Sequence, residues 1–196
     1  MIRALCIMGS PRKKGNTELL MEKFAEGLET ADVLFEKMVL SDMKISPCVA
    51  CESCWNSLGC SIDDDMQRLY KKLDEADLVI IATPVYFGNV SSFVKIVMDR
   101  FQAVLAGKIL AEEGTYASEL INRNKKRYGF IIATAARDDY SRWSPIYDIC
   151  KTMFNLLNAE LLGEHLVPGT YNKLVTEMPG VLQEAYEKGT ELAKKL

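Results

Sequence analysis

Apolar residues in this chain fall into short, nearly unbroken runs separated by stretches of helical periodicity. Leu5, Cys6, Ile7 and Met8 form a run too short for a helix, closed by Gly9 and Pro11, which predicts a buried strand. A helix follows from Glu18 to Leu28, and Val33 to Val39 reads as a second strand. Met66, Leu69, Tyr70 and Leu73 recur at helical spacing, and Asp63, Asp64 and Asp65 before them predict a capped, acidic first turn rather than a metal site. Asp77 to Thr83 is apolar without alternation, as expected of a central strand covered on both faces. Ser91 then caps a helix running to about Leu105. Tyr128 to Thr134 predicts a fourth strand, Ser144 to Asn158 a helix with Pro145 in its first turn, and Leu161 to Val167 a fifth strand. An amphipathic helix from Val181 to Lys195 closes the chain. Two stretches stand outside this rhythm: a polar, cysteine-bearing excursion from Ser41 to Cys60, and an irregular segment from Ala106 to Arg127. The latter contains a weakly helical run, Tyr116 to Asn122, and reads as a lid or an oligomer arm.

Five strands alternating with helices predict an α/β fold, a doubly wound parallel sheet in which right-handed crossovers favour the order 2-1-3-4-5. Residues 1–196 read as a single domain, with the cysteine loop 46–61 inserted after the second strand. In that order the loops after the first, third and fourth strands share one carboxyl edge. Ser10, Tyr86 and Arg137 therefore meet in one cleft.

Composition narrows the function by exclusion. A net charge of −3 over 196 residues gives no reason to expect a nucleic-acid partner, and no apolar run is long enough to span a membrane. Met1 leads directly into the first strand without the pattern of a secretory signal, so the protein is expected in the cytoplasm. Six cysteines there are thiols, metal ligands or redox centres rather than a disulfide framework. Cys6 and Cys150 fall at core positions and read as small buried residues.

Three stretches carry chemistry. In RALCIMGSPRKKGNT, Ser10, Asn16 and Thr17 offer side-chain donors among Arg12, Lys13 and Lys14, at the start of a helix whose free N–H groups face the same spot. That combination suits a dianionic phosphate. A nucleoside-triphosphate loop is excluded because Asn16 stands where its lysine belongs, and a dinucleotide Gly-x-Gly-x-x-Gly is absent. The run from Pro84 through Val85, Tyr86, Phe87 and Gly88 to Asn89 offers an aromatic pair beside main-chain groups, which suits a flat, polar-edged ring. Cys48, Cys51, Cys54 and Cys60 are spaced Cys-x2-Cys-x2-Cys-x5-Cys. A loop so spaced can wrap three corners of a [4Fe–4S] cubane and bring the fourth thiolate after a turn at Gly59. Zinc and free or structural thiols are the other readings. His165, the only histidine, has no evident partner for catalysis. Trp55 and Trp143 are candidates for packing on a bound group or at a subunit interface.

The first stretch resembles the loop with which flavodoxin-like flavin reductases wrap the phosphate of FMN. The run PVYFGNVSSFVKIVMDR resembles a segment of the NADPH-dependent FMN reductase superfamily, and with the cysteine motif the chain resembles its iron–sulfur flavoprotein family. The match is strongest from Ile2 to Asp99 and weak beyond Gly107. The resemblance implies a flavodoxin-like fold and FMN held at its phosphate by Ser10, Arg12, Asn16 and Thr17 and at its ring by Pro84, Val85, Tyr86, Phe87, Gly88 and Asn89. Thr134, Ala135 and Arg137 complete the flavin site after the fourth strand, and Cys48, Cys51, Cys54 and Cys60 ligate a [4Fe–4S] cluster. No residue is required as a catalytic acid or base. The implied activity is an oxidoreductase passing electrons from ferredoxin, or alternatively NAD(P)H, to a small-molecule acceptor, in a homodimer or dimer of dimers. A cluster-free NAD(P)H-dependent FMN or quinone reductase and a non-enzymatic flavin or thiol sensor are the alternatives. Relatives commonly have a glycine pair where this chain has Ala135-Ala136-Arg137, so access to the flavin is expected to differ there.

Overall fold

The computed structural model describes residues 1–56, 59–112, 120–122, 124–137 and 143–196. Among them β1 (Ile2–Met8), β2 (Val33–Val39), β3 (Leu78–Pro84), β4 (Arg127–Thr134) and β5 (Ala159–Val167) form one parallel sheet in the order 2-1-3-4-5. This is the flavodoxin-like arrangement expected from the alternation of strands and helices. The helices are α1 (Asn16–Leu28), α2 (Ser53–Asn56), α3 (Met66–Glu75), α4 (Ser92–Arg100), α5 (Gln102–Glu112), α6 (Ser144–Leu156) and α7 (Val181–Ala193). None of the described helices is long and apolar enough to cross a membrane.

The unbroken apolar runs are explained by cover on both faces. Side chains alternate across a strand, so Leu5, Ile7, Val79, Ile81, Ile131 and Ala133 feed a core beneath α3, α4 and α6. Ala4, Cys6, Met8, Ile80, Ala82 and Ile132 feed a second core beneath α1 and α7. Every residue of β3 is buried. Burial raises the thiols of Cys6 and Cys150, in keeping with a packing role. His165 is buried on β5, and burial, opposed by Glu184 3.5 Å from its Nδ1, keeps its pKa low.

Three expectations need correction. The helix after Ser91 does not continue to Leu105: α4 ends at Arg100 and α5 begins at Gln102, taking up residues expected to be irregular. Phe101 closes the first helix with its N–H on Met98 O, while its buried ring lies against Tyr70 and the Tyr70 hydroxyl donates to Arg100 O. Tertiary contact, not local propensity, breaks the helix there. The acidic run precedes α3 rather than forming its first turn: the helix starts at Met66, whose N–H donates to Asp64 Oδ1 at 3.0 Å, and no side chain of Asp65 caps it. Asp65 and Asp64 also accept from the N–H groups of Lys44 and Ser46, tying down the chain that leads into the cysteine loop. Of the run Tyr116 to Asn122, residues 116–119 lie outside the described residues, and residues 120–122 are not helical.

On the far face α1 and α7 meet through Gly27 and Gly189. A β-carbon on Gly189 would stand 2.1 Å from Phe24 O, and one on Gly27 2.2 Å from Tyr186 O. Gly189→Ala is therefore expected to lower stability by about 1–3 kcal/mol, the usual cost of overpacking, measured by urea denaturation. A variant as stable as the parent would show that the helices separate freely.

Candidate functional site

The first site is built where β1, β3 and β4 end. Gly9 N donates to Ala82 O at 2.7 Å, the Ser91 hydroxyl donates to Gly9 O at 2.8 Å, and Ser91 N donates to Thr83 Oγ1 at 3.0 Å. Val85 N donates to Thr134 O at 2.8 Å, so the exits of β3 and β4 are also tied together. Above this seam lies a cleft of about 670 Å³ lined by Ser10, Arg12, Asn16, Thr17, Pro84, Val85, Tyr86 and Thr134. It is contiguous, through Val85 and Ala136, with a crevice of about 240 Å³ lined by Phe87, Gly88, Ala135, Arg137 and Trp143. Volumes of this size hold a cofactor or small ligand.

The phosphate end has the features of an anion site. The N-cap of α1 is Gly15, with no side chain on the first-turn N–H groups. Ser10 and Thr17 are buried; Ser10 Oγ accepts from Arg12 N at 3.3 Å, and Thr17 shares a 2.7 Å hydrogen bond with Thr134 across the cleft. Asn16 differs from expectation. Its Nδ2 donates to Lys173 O and its Oδ1 accepts from Val175 N, both at 2.9 Å, so its side-chain amide anchors the loop after β5. That loop adds Thr170, Tyr171 and Leu174, which sequence reasoning missed. Its signal was Pro168-Gly169 directly after the fifth strand, at the same carboxyl edge.

At the ring end, Tyr86 and Asn89 exchange main-chain hydrogen bonds of 2.9 and 3.0 Å, and the two residues between them have positive φ, 51° at Phe87 and 74° at Gly88. This is the geometry of a tight two-residue turn, and it costs about 1–2 kcal/mol at a non-glycine such as Phe87. The Phe87 ring is fully exposed beside the crevice, and Tyr86 and Tyr171 are also exposed. Asn89 lines neither cavity; its Oδ1 accepts from Val90 N. The Ala135 main chain is committed as well, its N–H to Val167 O and its carbonyl to Thr170.

The second site lies at the opposite end of α4. Cys48, Cys51, Cys54 and Cys60 all line one cavity of about 330 Å³, together with Trp55, Ile62, Arg100 and Ala103. None is in a disulfide, and Gly59 makes the expected turn at φ 100°. Hydrogen bonds from Ser53, its hydroxyl 3.4 Å from the sulfur, and from Ser61 bring the Cys51 thiol down to about 7. Burial pushes Cys54 up, and the charges of Cys60, Cys48 and Cys51 push the same way. The four groups thus share one electrostatic neighbourhood. Yet among the described residues no three His, Cys, Asp or Glu side chains converge to hold a metal ion. Tetrahedral zinc, with Zn–S of about 2.3 Å, needs its sulfurs about 3.8 Å apart.

Under this cavity Asp64 faces Arg100, with Nη1 on Oδ2 at 2.7 Å and Nη2 on Oδ1 at 3.2 Å. The guanidinium is fully buried.

Residues 2–122 match the family described as NADPH-dependent FMN reductase. The chain belongs to that family. Within it, the chain is similar to the iron–sulfur flavoproteins, as its motifs suggested. It is 37% identical over 106 residues to one from Methanocaldococcus jannaschii, covering 54% of this chain and 55% of the relative. It is 41% identical over 100 residues to one from Archaeoglobus fulgidus, covering 51% of each. The matched stretches span about half the length of these relatives. Among solved structures, an FMN-dependent NADH-azoreductase from Bacillus anthracis in complex with FMN superposes with a TM-score of 0.67 at 19% identity, covering 100% of this chain and 99% of the other. At that identity the likeness concerns the fold.

The Asp64–Arg100 pair has a pH consequence. Burial would raise the Asp64 carboxyl, but Arg100 and the N–H groups of Ser46 and Met66 hold it below the usual carboxylate range. A depressed folded pKa contributes stability that is fully present above the unfolded value, about 3.9, and is lost as pH falls through the folded one. Asp64→Asn is therefore expected to be less stable than the parent above about pH 4, with the gap closing on further acidification. Thermal melts across pH 2–7 measure this, and a gap that does not depend on pH would refute it.

Proposed function

We propose that this chain is an FMN-dependent oxidoreductase that also carries a [4Fe–4S] cluster on Cys48, Cys51, Cys54 and Cys60, receives electrons from a one-electron donor such as ferredoxin and reduces a small-molecule acceptor. The observation that carries the reading is that four cysteines on one short loop line a single cavity while a separate cleft offers an anion site and a ring-sized crevice. FMN exchanges one or two electrons and a cluster one, so a chain holding both links the two kinds of carrier.

The residues act by holding and orienting. The uncapped N-terminus of α1, Ser10, Arg12 and Thr17 neutralise and bind the FMN phosphate, and Thr134 lies between that end and the ring. Asn16 contributes its main-chain N–H and holds the Tyr171 loop over the cleft. Free main-chain groups of Phe87 and Gly88 meet the polar edge of the ring, while Val85 and Trp143 supply its apolar wall. The lowered Cys51 thiol and the hydroxyls of Ser53 and Ser61 favour a thiolate on the cysteine loop. A homodimer or dimer of dimers, in which the exposed Phe87 turn approaches another copy, is part of this reading.

Two measurements test it. Arg12→Ala with Thr17→Ala is expected to weaken FMN about 10–100-fold, the effect of losing charge-assisted hydrogen bonds, and riboflavin far less; equal losses in a fluorescence titration would refute the phosphate assignment. Replacing any one of the four loop cysteines by alanine is expected to lower iron and acid-labile sulfide together with FMN retained, while Cys6→Ala and Cys150→Ala leave iron unchanged. Anaerobically reconstituted parent protein with FMN but neither iron nor sulfide would favour an NAD(P)H-dependent reductase without a cluster, and stoichiometric zinc a structural site.

A further inference from the structure

Arg100 occupies a position that its fold alone does not require to be charged. Val94, Val97 and Arg100 form the buried stripe of α4, so an arginine stands where the pattern calls for an apolar side chain. It is 1% exposed. Its Nη1 donates to Ser46 O at 2.9 Å as well as to Asp64, and its Nη2 reaches Ile62 O at 3.4 Å. Ser46 precedes Cys48 by two residues and Ile62 follows Cys60 by two, so one side chain joins both ends of the cysteine loop to one helix end. The network extends to Tyr70, whose hydroxyl donates to Arg100 O.

One donor in this hub is uncommitted. The Arg100 Nε is buried and makes no hydrogen bond of normal geometry among the described residues, although Arg100 lines the cavity that holds the four cysteines. A buried N–H left unpaired is destabilising, and burying the cation is more so unless negative charge surrounds it. Asp64 takes the Nη edge of the fork. Cys60 borders the guanidinium on the cavity side, near enough to favour its charged form by hydrogen bonding as well as by charge.

On the reading that the cavity holds a cluster, we infer that Arg100 is a positioning residue for it: it clamps the cysteine loop shut, donates its Nε–H to a sulfur of the cluster, and raises the cluster's reduction potential. The couple concerned is a one-electron reduction by an external reductant, which adds one unit of negative charge to the cluster and forms or breaks no bond. A hydrogen-bond donor on a fixed positive group stabilises the more negative state, and hydrogen bonds to the sulfurs are among the factors that set such potentials.

The test uses the anaerobically reconstituted protein with FMN bound, labelled with [15N]arginine and reduced with dithionite. Pulsed EPR of the reduced cluster is expected to show a 15N coupling that disappears in Arg100→Lys. Arg100→Lys and Arg100→Gln are expected to retain iron and sulfide about 10–100-fold less tightly, the usual effect of removing an outer partner of a metal ligand. The cluster they keep should titrate at a more negative potential, further so in the neutral glutamine variant, with the FMN potentials unchanged. A parent cluster without 15N coupling overturns the inference even where neither variant folds, and so does a variant whose cluster keeps the parent potential. Parent protein devoid of iron and sulfide overturns the cluster reading along with this role, and the iron assay tells that failure from failure of the arginine's role alone.

Discussion

The arrangement of both sites depends on how closely Gly9 approaches α4. A β-carbon at Gly9 would lie 2.3 Å from Val94 Cγ2 and 2.9 Å from Ser91 Oγ. Only a residue without a side chain lets the exit of β1 sit directly on the first turn of the helix that follows β3. The contact is locked by the Ser91 hydroxyl on Gly9 O and by Ser91 N on Thr83 Oγ1, all of it buried. From this point the loop bearing Ser10 and Arg12 rises on one side and the turn bearing Phe87 and Gly88 on the other. The width of the cleft between them is therefore fixed by packed main chain rather than by flexible loops.

The fold was legible where its determinants are local. An unbroken apolar run such as Leu78 to Ala82 has one physical meaning in a parallel sheet, and β3 is buried throughout. The break between α4 and α5 was not legible, because apolar residues continue across Phe101 at helical spacing and the cause lies in Tyr70, thirty residues away in sequence. The same distinction runs through the site. Loops after β1, β3 and β4 converge by topology, so Ser10, Thr17, Val85, Tyr86 and Thr134 were found together from strand order. Asn16 looked like a ligand because its neighbours in sequence are donors, yet both ends of its amide are engaged by residues 173 and 175. Tyr171 escaped because β5 is an edge strand, and its loop is brought to the cleft by that same asparagine and by Thr170 on Ala135 O.

Arg100 was readable in a different way. An arginine in register with Val94 and Val97 is a local inconsistency, and such inconsistencies concentrate where a fold serves a site. Asp64 is its counterpart, read from sequence as part of a capped helix start; it accepts from the first N–H of α3 and also joins α4 to the cysteine loop. The two residues explain each other only in three dimensions.

Those pairings also give α4 an electrostatic logic. Its N-cap, Ser91, is bonded to Gly9 and Thr83 at the strand ends bordering the proposed flavin cleft, and its last residue lies at the cysteine cavity, about 12 Å along the axis at 1.5 Å per residue. A helix presents partial positive charge at its N-terminus and partial negative charge at its C-terminus. The second end would repel four thiolates, and there the chain places a buried guanidinium that satisfies main-chain carbonyls on both sides of the loop and offsets the helix terminus. An apolar residue at position 100 would remove the guanidinium that holds Ser46 O, Ile62 O and Asp64, and would leave the N-terminus of α5, at Gln102 and Ala103, as the positive helix end beside the proposed cluster ligands. The charge at this core position thus answers both to Asp64 beneath it and to the cavity it borders.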